Sequence, residues 1–569
     1  MKSTLCLLMT LMIAFFASAQ KETIMYNAKI FTANPAKPFA DAVGIRGNTI
    51  IAVGKFSDVK NAMSAGAELM DIKGGFLMPG MVDAHSHVIS GGQSLLKANL
   101  FEEYIPAEKL LNFVRLQLKE RKGMTGEIML VYGVNISTWM HLDQLNKYFN
   151  DKEFQNQAVY LSGSDGHTAW VNQKMLSLAG ISKKRVMELP VAKQQYFGLN
   201  KEGELNGFIA DSGLNILDEV LPPEPEPDSL AALEAIRHCN SLGLTAWLDP
   251  SAANVNTGRE NALMAYQYLI NNKKLTAHVA TTLVADGNLD PQAQISKLKS
   301  LQAKYSQSPN LSIIGFKIFA DGVLEYPAQT AAISIPYTNH SQNGKLLFEP
   351  ARFAQFATLA DKQGLQMHVH AIGDLAVTET LNGFEAMRKA NGNDQMPHTI
   401  THLQLVLPKD IPRFQSLNVL AAMQLIWAFG DVTTIDIVKP YIDPELYKHQ
   451  YPARSLSRAG AFICGASDWP VSSANPFKAM ATAETRKGDL NIVLDSTQRM
   501  PRMSMLYAYT LNAAMALLLD KSIGSIEPGK FADIIQVDRD IARVKPEELA
   551  ETKVLWTMFE GKIIYKQSK

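Results

Sequence analysis

The chain has 569 residues, 47% hydrophobic and 19% charged, with 55 basic against 55 acidic side chains and a formal net charge of zero. That is ample for a large core; it excludes a disordered polymer, and it offers no charge excess to bind nucleic acid. Three cysteines in this length make no disulfide framework, so packing must supply the stability.

Lys2, the apolar Leu5–Phe16 run and the small residues Ala17-Ser18-Ala19 read as a secretory signal cleaved after Ala19. A membrane anchor needs about 20 apolar residues, and this run is shorter. The mature chain is therefore expected to be periplasmic or secreted, with no stable membrane insertion. Cleavage removes Cys6, too early to be a lipid-attachment cysteine, and leaves Cys239 and Cys464. It also removes one charge, Lys2, so 54 basic and 55 acidic groups remain, for a net charge near −1.

Residues 22–72 read as short strands. Thr23–Phe31 alternates, and Ala42–Ile45 passes through an Arg46-Gly47-Asn48 turn into Thr49–Val53. The far end has the same texture: Ala532–Val537, Val554–Phe559, then Glu560-Gly561-Lys562 turning into Ile563–Tyr565. Neither segment has enough apolar surface to fold alone, so one small β-domain built from both termini is expected.

Between them helix and strand patterns alternate. Asp228 is placed to cap a helix carrying Leu230, Leu233 and Ile236, which leads through Gly243 to the strand Leu244–Asp249. A second unit runs from Phe353 through Phe356 and Ala360 to Gly364 and the strand Leu365–His370. Apolar runs end near His87, Asp249, Leu283, Ala320, His370, Leu405, Leu425 and Asp468. Such a series indicates an α/β fold, a (β/α)8 TIM-type barrel, with its site at the C-terminal strand ends. Residues 92–227, between the first two runs, are too many for one crossover helix and must contain an insertion. It holds an amphipathic helix (Leu110, Val114, Leu118), strands at 128–134 and 158–162, and a stiff closing segment from Leu221 to Pro227. Long insertions at a barrel mouth usually shape a substrate pocket.

The chemistry gathers at the predicted strand ends. Met78-Pro79-Gly80-Met81-Val82-Asp83-Ala84-His85-Ser86-His87 reads as a strand, with Gly91 and Gly92 opening a loop. Residues i and i+2 of a strand share a face, so His85 and His87 can aim two imidazoles at one metal ion; a pair of hydrogen-bonded strand histidines is the alternative. Lys317 lies in an apolar run where a bare ammonium is costly. His370 ends the fifth run, His402 lies in the sixth, and Asp468 follows the eighth. Any one of these suits a structural role, but together they form a ligand set.

Eight blocks in order resemble the amidohydrolase superfamily, and within it the amidohydrolase-3 branch of YtcJ-like metal-dependent hydrolases. They are Pro79–His87, Asp165–Asn172, Phe316–Gly322, His370–Asp374, His402–Val406, Gly465–Pro470, Tyr509–Ala514 and Gly524–Asp533. The resemblance implies a barrel with a small β-sandwich made from both termini, parsed as residues 1–19 signal, 20–77 and 516–569 sandwich, and 78–515 barrel. It further implies that His85 and His87, with Asp468, hold one divalent metal, zinc foremost, and that His370 and His402 hold a second. Lys317, carboxylated by CO2, would bridge the two. A bridging water would become the nucleophile, and Asp468 would carry its proton to the leaving nitrogen. His167 is a candidate substrate contact, with a structural hydrogen bond as the alternative. His368 shares a strand face with His370, and position before Ala-Ile-Gly-Asp favours His370.

Two positions depart from the family's pattern: Thr401 stands where a carboxylate is common, and Gln424-Leu425-Ile426-Trp427 where Gln-Pro is common. Both bear on substrate identity. Trp139, Trp170 and Trp427 could line a pocket, with core packing the expectation for each. The expected activity is hydrolysis of a non-peptide C–N bond in a small molecule (an amide, N-acyl compound or cyclic amide), by a chain that can form a homodimer. The alternatives are a lactone or ester hydrolase on the same site, a non-catalytic binding barrel, and a zinc-stabilised structural barrel. Structural zinc is usually closed by four ligands, frequently cysteine, and neither remaining cysteine is placed for that.

Overall fold

Eight parallel strands form the centre of the molecule in chain order: β1 (Met81–Asp83), β2 (Leu244–Asn254), β3 (His278–Val284), β4 (Leu311–Phe319), β5 (Gln366–Ala371), β6 (His398–His402), β7 (Val419–Met423) and β8 (Ile463–Gly465). A computed structural model describes residues 21–568 except 102, 223–227, 393–395 and 489. The segment expected to be a signal, with Cys6, and most of the proline-rich boundary lie outside the described residues. The barrel is nearly closed: Ala84 N donates to Gly465 O at 2.9 Å, while Val82 N turns to the Tyr509 carbonyl at 2.9 Å. Strands covered on both faces read as continuous apolar runs, and β5, β6, β7 and β8 are buried along their whole length.

The helices between strands start as their sequences require. Asp228 Oδ1 accepts from Ala231 N at 3.1 Å and caps Ser229–Ser241. Asp290 and Glu349 cap Pro291–Tyr305 and Pro350–Lys362, each with proline at the first helical position. In Ser229–Ser241 the buried face is Ala231, Ala232, Ala235, Ile236 and Cys239; Leu230, expected there, is exposed. Small residues on that face let the helix lie close to its neighbour, Val88–Leu96.

Gly91 and Gly92 explain that closeness. Both lie inside helix Val88–Leu96 rather than in the loop expected of them. A Cβ on Gly91 would stand 2.4 Å from the Trp469 ring, and one on Gly92 would stand 2.0 Å from Ala231 O. Two neighbouring glycines signal a turn when read locally; here they make room for another backbone.

The insertion builds a mixed seven-stranded sheet between Ala98 and Ala210, with the expected strands at Ile128–Val134 and Ala158–Gly163. It buries apolar clusters on both faces. Trp139 and Trp170 belong to one of these cores.

The chain's two ends meet in one sheet. Its six strands run in the order Lys562–Lys566, Val554–Phe559, Ile534–Val537, Phe76–Pro79, Lys29–Phe31 and Phe39–Ala40. A four-stranded sheet contains Glu22–Tyr26, Ala42–Arg46, Thr49–Gly54 and Glu68–Asp71. The alternating run at 23–31 is thus two strands in two sheets. Asn27, at φ 53, breaks it. The Asn side chain tolerates that left-handed backbone.

Candidate active site

The turns that follow β1 and β8 carry the first half of the site. β1 ends at Asp83, so His85 and His87 do not share a strand face as expected; His87 already caps helix Val88–Leu96. Their rings stand 5.4 Å apart at 77°. The turn nevertheless brings both Nε2 atoms to one carboxylate oxygen, Asp468 Oδ1, at 3.3 Å from His85 and 3.2 Å from His87. Asp468 also lies beyond its strand, with φ 57. Backbone bonds lock the two turns together: Asp468 N to His85 O at 2.7 Å, and His87 N to Trp469 O at 2.8 Å. Beneath them Asp83 Oδ1 accepts from His85 N at 3.0 Å and Ser467 N at 3.1 Å.

The second half comes from β4, β5 and β6. His370 Nε2 lies 3.0 Å from Gly322 O. An imidazole that donates one N–H to a carbonyl keeps its lone pair on the other nitrogen, and His370 Nδ1 is buried without a hydrogen-bond partner. His402 Nδ1 faces Gln424 Oε1 at 3.0 Å, and the Gln424 amide donates to Thr401 Oγ1 at 3.4 Å. The His370 and His402 rings are 4.5 Å apart, and His402 Nδ1 is 3.9 Å from Asp468 Oδ2. His368 instead puts Nε2 2.7 Å from His85 Nδ1, behind the first histidine. Of the two β5 histidines, His370 lines the cavity.

Lys317 sits opposite His368 in the β4–β5 register, buried, with Nζ 5.0 Å from the Phe319 ring. Among the described residues no carboxylate pairs with it. Burial pushes its ammonium down to about 7, against the pull of Asp468. Burial first, and then neighbouring cationic groups including Lys317, hold His85, His368, His370 and His402 well below their usual value. They are neutral imidazoles with lone pairs to give. Burial works against the Asp468 carboxylate, but the adjoining His87 ring, with His402 and Lys317, keeps it below its ordinary range.

These residues suit a divalent cation. His85, His402 and Asp468 each offer a ligand atom within 4.8 Å of the others. His370 Nδ1 is buried with no hydrogen-bond partner, Asp468 Oδ1 lies between the His85 and His87 Nε2 atoms, and nitrogen and carboxylate donors are the set zinc takes in catalytic sites. The rings are also held from behind: Ser251 Oγ is 2.8 Å from His87 Nδ1, and Gln424 holds His402 as above. Such partners fix which nitrogen faces a metal.

A cavity of about 580 Å³ opens over this cluster, between barrel and insertion. His167 reaches it from the insertion, its ring 5.3 Å from His370 and its Nδ1 2.7 Å from Asp211 Oδ1. Burial opposes its charge, but the Asp211 bond and the nearby carboxylates push the imidazolium up to about 9. Trp427 also lines the cavity, stacked on His402 at 5.8 Å and 13°, rather than serving the core alone. Asp211, Asp321 and Glu325 were not singled out in the sequence, and Gln424 stood out there only as a departure from the family's pattern. Asp321 Oδ1 is 3.5 Å from His370 Nε2, and its carboxylate accepts from Ala332, Ile372 and Gly373 N at 2.8–3.0 Å. Its only local signal was a charge directly after an apolar strand.

Residues 68–565 match the model of the "Amidohydrolase family". The chain is 27% identical to Protein LONG AFTER FAR-RED 3 of Arabidopsis thaliana over 96% of its length and 91% of that protein's. It is 24% identical to a putative amidohydrolase, YtcJ, of Bacillus subtilis, covering 96% and 100%. With the N-substituted formamide deformylase of Arthrobacter pascens identity is 22%, covering 96% and 99%. Among solved structures, an uncharacterized metal-dependent hydrolase from Pyrococcus horikoshii superposes with a TM-score of 0.69 at 25% identity, covering 93% and 99%. The zinc complex of atrazine chlorohydrolase from Arthrobacter aurescens shares the fold at a TM-score of 0.53 and 13% identity, covering 96% and 95%.

Proposed function

Because this chain belongs to the amidohydrolase family, we propose that it hydrolyses a non-peptide C–N bond in a small amide, N-acyl compound or cyclic amide. One observation carries the reading: neutral imidazoles from β5, β6 and the turn after β1 meet an ionised Asp468 at a cavity, with His370 Nδ1 left without a hydrogen-bond partner. His85, His87, His370, His402 and Asp468 would hold one or two divalent ions, zinc foremost. When bound, such an ion supplies a Lewis acid that acidifies water and polarises the scissile carbonyl. Asp468, ionised at neutral pH, accepts the proton of the attacking water and returns it to the leaving nitrogen. Lys317, with its amine readily neutral, would add through Nζ to CO2, the N–C bond forming as one C=O π bond opens and the nitrogen loses a proton to solvent; the carbamate replaces a repelling ammonium with one negative charge shared over two oxygens. Gln424 and Ser251 keep the His402 and His87 rings in register, and His167 contacts the substrate from the insertion.

In the same proposal the two end-built sheets make up one small β-sandwich domain beside the barrel, joined by the apolar cluster of Ile30, Ile50 and Trp556. The leader directs export to the periplasm or medium, and the mature enzyme can form a homodimer. The test is metal analysis of purified protein together with a turnover screen of N-acyl amines and cyclic amides. Bound divalent metal is expected, with turnover lost on chelation and restored by zinc. Equal turnover by metal-free protein would overturn the metal-dependent reading.

A further inference from the structure

The cavity's charge is one-sided. Its described lining carries Glu103, Asp165, Glu325, Asp431 and Asp468, and no lysine or arginine. Three of these carboxylates are occupied within the protein. Asp468 faces the imidazoles, Asp165 accepts from His167 N and Thr168 N at 3.1 and 3.0 Å, and Asp431 accepts from Thr434 N at 2.8 Å. His167, the cationic group of the insertion, is tied to Asp211. Glu325 differs from them. It stands on the loop after β4, half-buried, and its carboxylate meets one neutral donor, Gln404 Nε2, at 3.3 Å. No ion pair to it forms among the described residues; the His167 imidazolium, which acts on it through space, is itself bonded to Asp211.

The rest of the wall has the same preference. Tyr104, Trp427, Phe429 and Tyr451 line the same space, and aromatic faces attract cations. Burial raises the Glu325 carboxyl to about 7; a cation beside it would restore the charged form. That the cavity takes a ligand is also indicated by His370 Nδ1, which lines it on a buried side chain without a hydrogen-bond partner.

We propose that the substrate is an amide carrying a second, basic nitrogen, that Glu325 is the acceptor for that cation, and that the aromatic wall holds the hydrocarbon between the two groups. An amide with a free carboxylate in that position meets Glu325 and no lysine or arginine, the cationic side chain of the described lining, His167, being bonded to Asp211, and is rejected. Glu325 is then the specificity-determining residue of this cavity. The inference rests on the hydrolase reading above and narrows it from amides in general to basic, hydrophobic ones.

Three N-acetylbenzylamines of matched size test it, with aminomethyl, methyl or carboxylate in the para position. In the metal-loaded enzyme kcat/KM should fall in that order, by at least about tenfold at each step, since like charge in a desolvated site discriminates strongly. Glu325→Gln should bring the aminomethyl-to-methyl ratio to within about threefold of unity; should that variant not fold, Glu325→Asp, which displaces the carboxylate, reads the same ratio. If none of the three is hydrolysed, calorimetric Kd values in the same order support the inference while telling against the hydrolase reading. A flat or reversed order in either measure, or an unchanged ratio in the variant, overturns it.

Discussion

Asp468→Asn changes one charge and little else. Asp468 has φ 57, a left-handed backbone that asparagine also accepts, so the turn after β8 and its 2.7 Å bond to His85 O should persist. What disappears is the carboxylate oxygen 3.3 and 3.2 Å from the His85 and His87 Nε2 atoms. The carboxyl is held below its ordinary value, so it is ionised at neutral pH and able to take a proton; an amide oxygen is not. Loss of a positioned general base costs roughly 10²–10⁴ in rate, or about 2.7–5.5 kcal/mol of barrier at 1.36 kcal/mol per tenfold. The substitution also removes one anionic ligand. The assay therefore compares kcat for wild type and variant at saturating zinc, with bound metal quantified on the same samples and circular dichroism confirming the fold. The expected result is a loss of at least a hundredfold at equal metal content. A variant retaining more than a tenth of wild-type kcat would refute the proton-transfer role.

Gln424→Leu frees the His402 ring, whose Nδ1 rests 3.0 Å from the Gln424 oxygen. Loss of such a partner typically costs about 10–100-fold in metal affinity; zinc titration against a competing chelator measures it, and an unchanged affinity would count against Gln424 as an orienting group. Gly92→Ala places a methyl 2.0 Å from the Ala231 carbonyl. Alanine's helix advantage of about 1 kcal/mol should lose to overpacking of about 1–3 kcal/mol or more, so the melting temperature should fall, and a rise would contradict the close helix contact. His278 Nε2 is 2.9 Å from Asp533 Oδ2, a buried link between β3 and the loop leading into strand Ile534–Val537. Burial pulls that imidazole down, but the Asp533 bond and charge outweigh it and raise it. Its stabilisation is therefore full below about pH 6.5 and fades as pH rises through the raised value. His278→Gln should flatten the decline of the urea midpoint above neutrality, and the same slope in both proteins would rule the pair out as its source.

Local pattern carried a long way in this chain. Apolar runs wide enough to be covered on both faces marked the barrel strands, and titratable residues in or just after those runs marked the cluster, because a polar group at such a place needs a partner or a ligand. His85, Lys317, His370, His402 and Asp468 were readable for that reason. The sequence also placed the cap at Asp228, whose signal lies within one helical turn. It misplaced the ends of β1, β2, β6, β7 and β8 by two to five residues. A strand ends where its backbone finds different partners, and at β1 and β8 those partners are each other's turns, nearly the whole barrel apart in sequence.

Sequence alone determined which side chains would be costly to bury without company, since that depends on each residue and its immediate neighbours. Only the tertiary structure decided which company they keep. His368 backs His85 while His370 faces the cavity, Gln424 fixes His402, Asp211 charges His167, and Glu325 is left with a neutral donor. Two glycines that look like a turn became the seat of a neighbouring helix. In each case a hydrogen bond or a close approach depends on coordinates contributed by distant parts of the chain, and no local period carries that information.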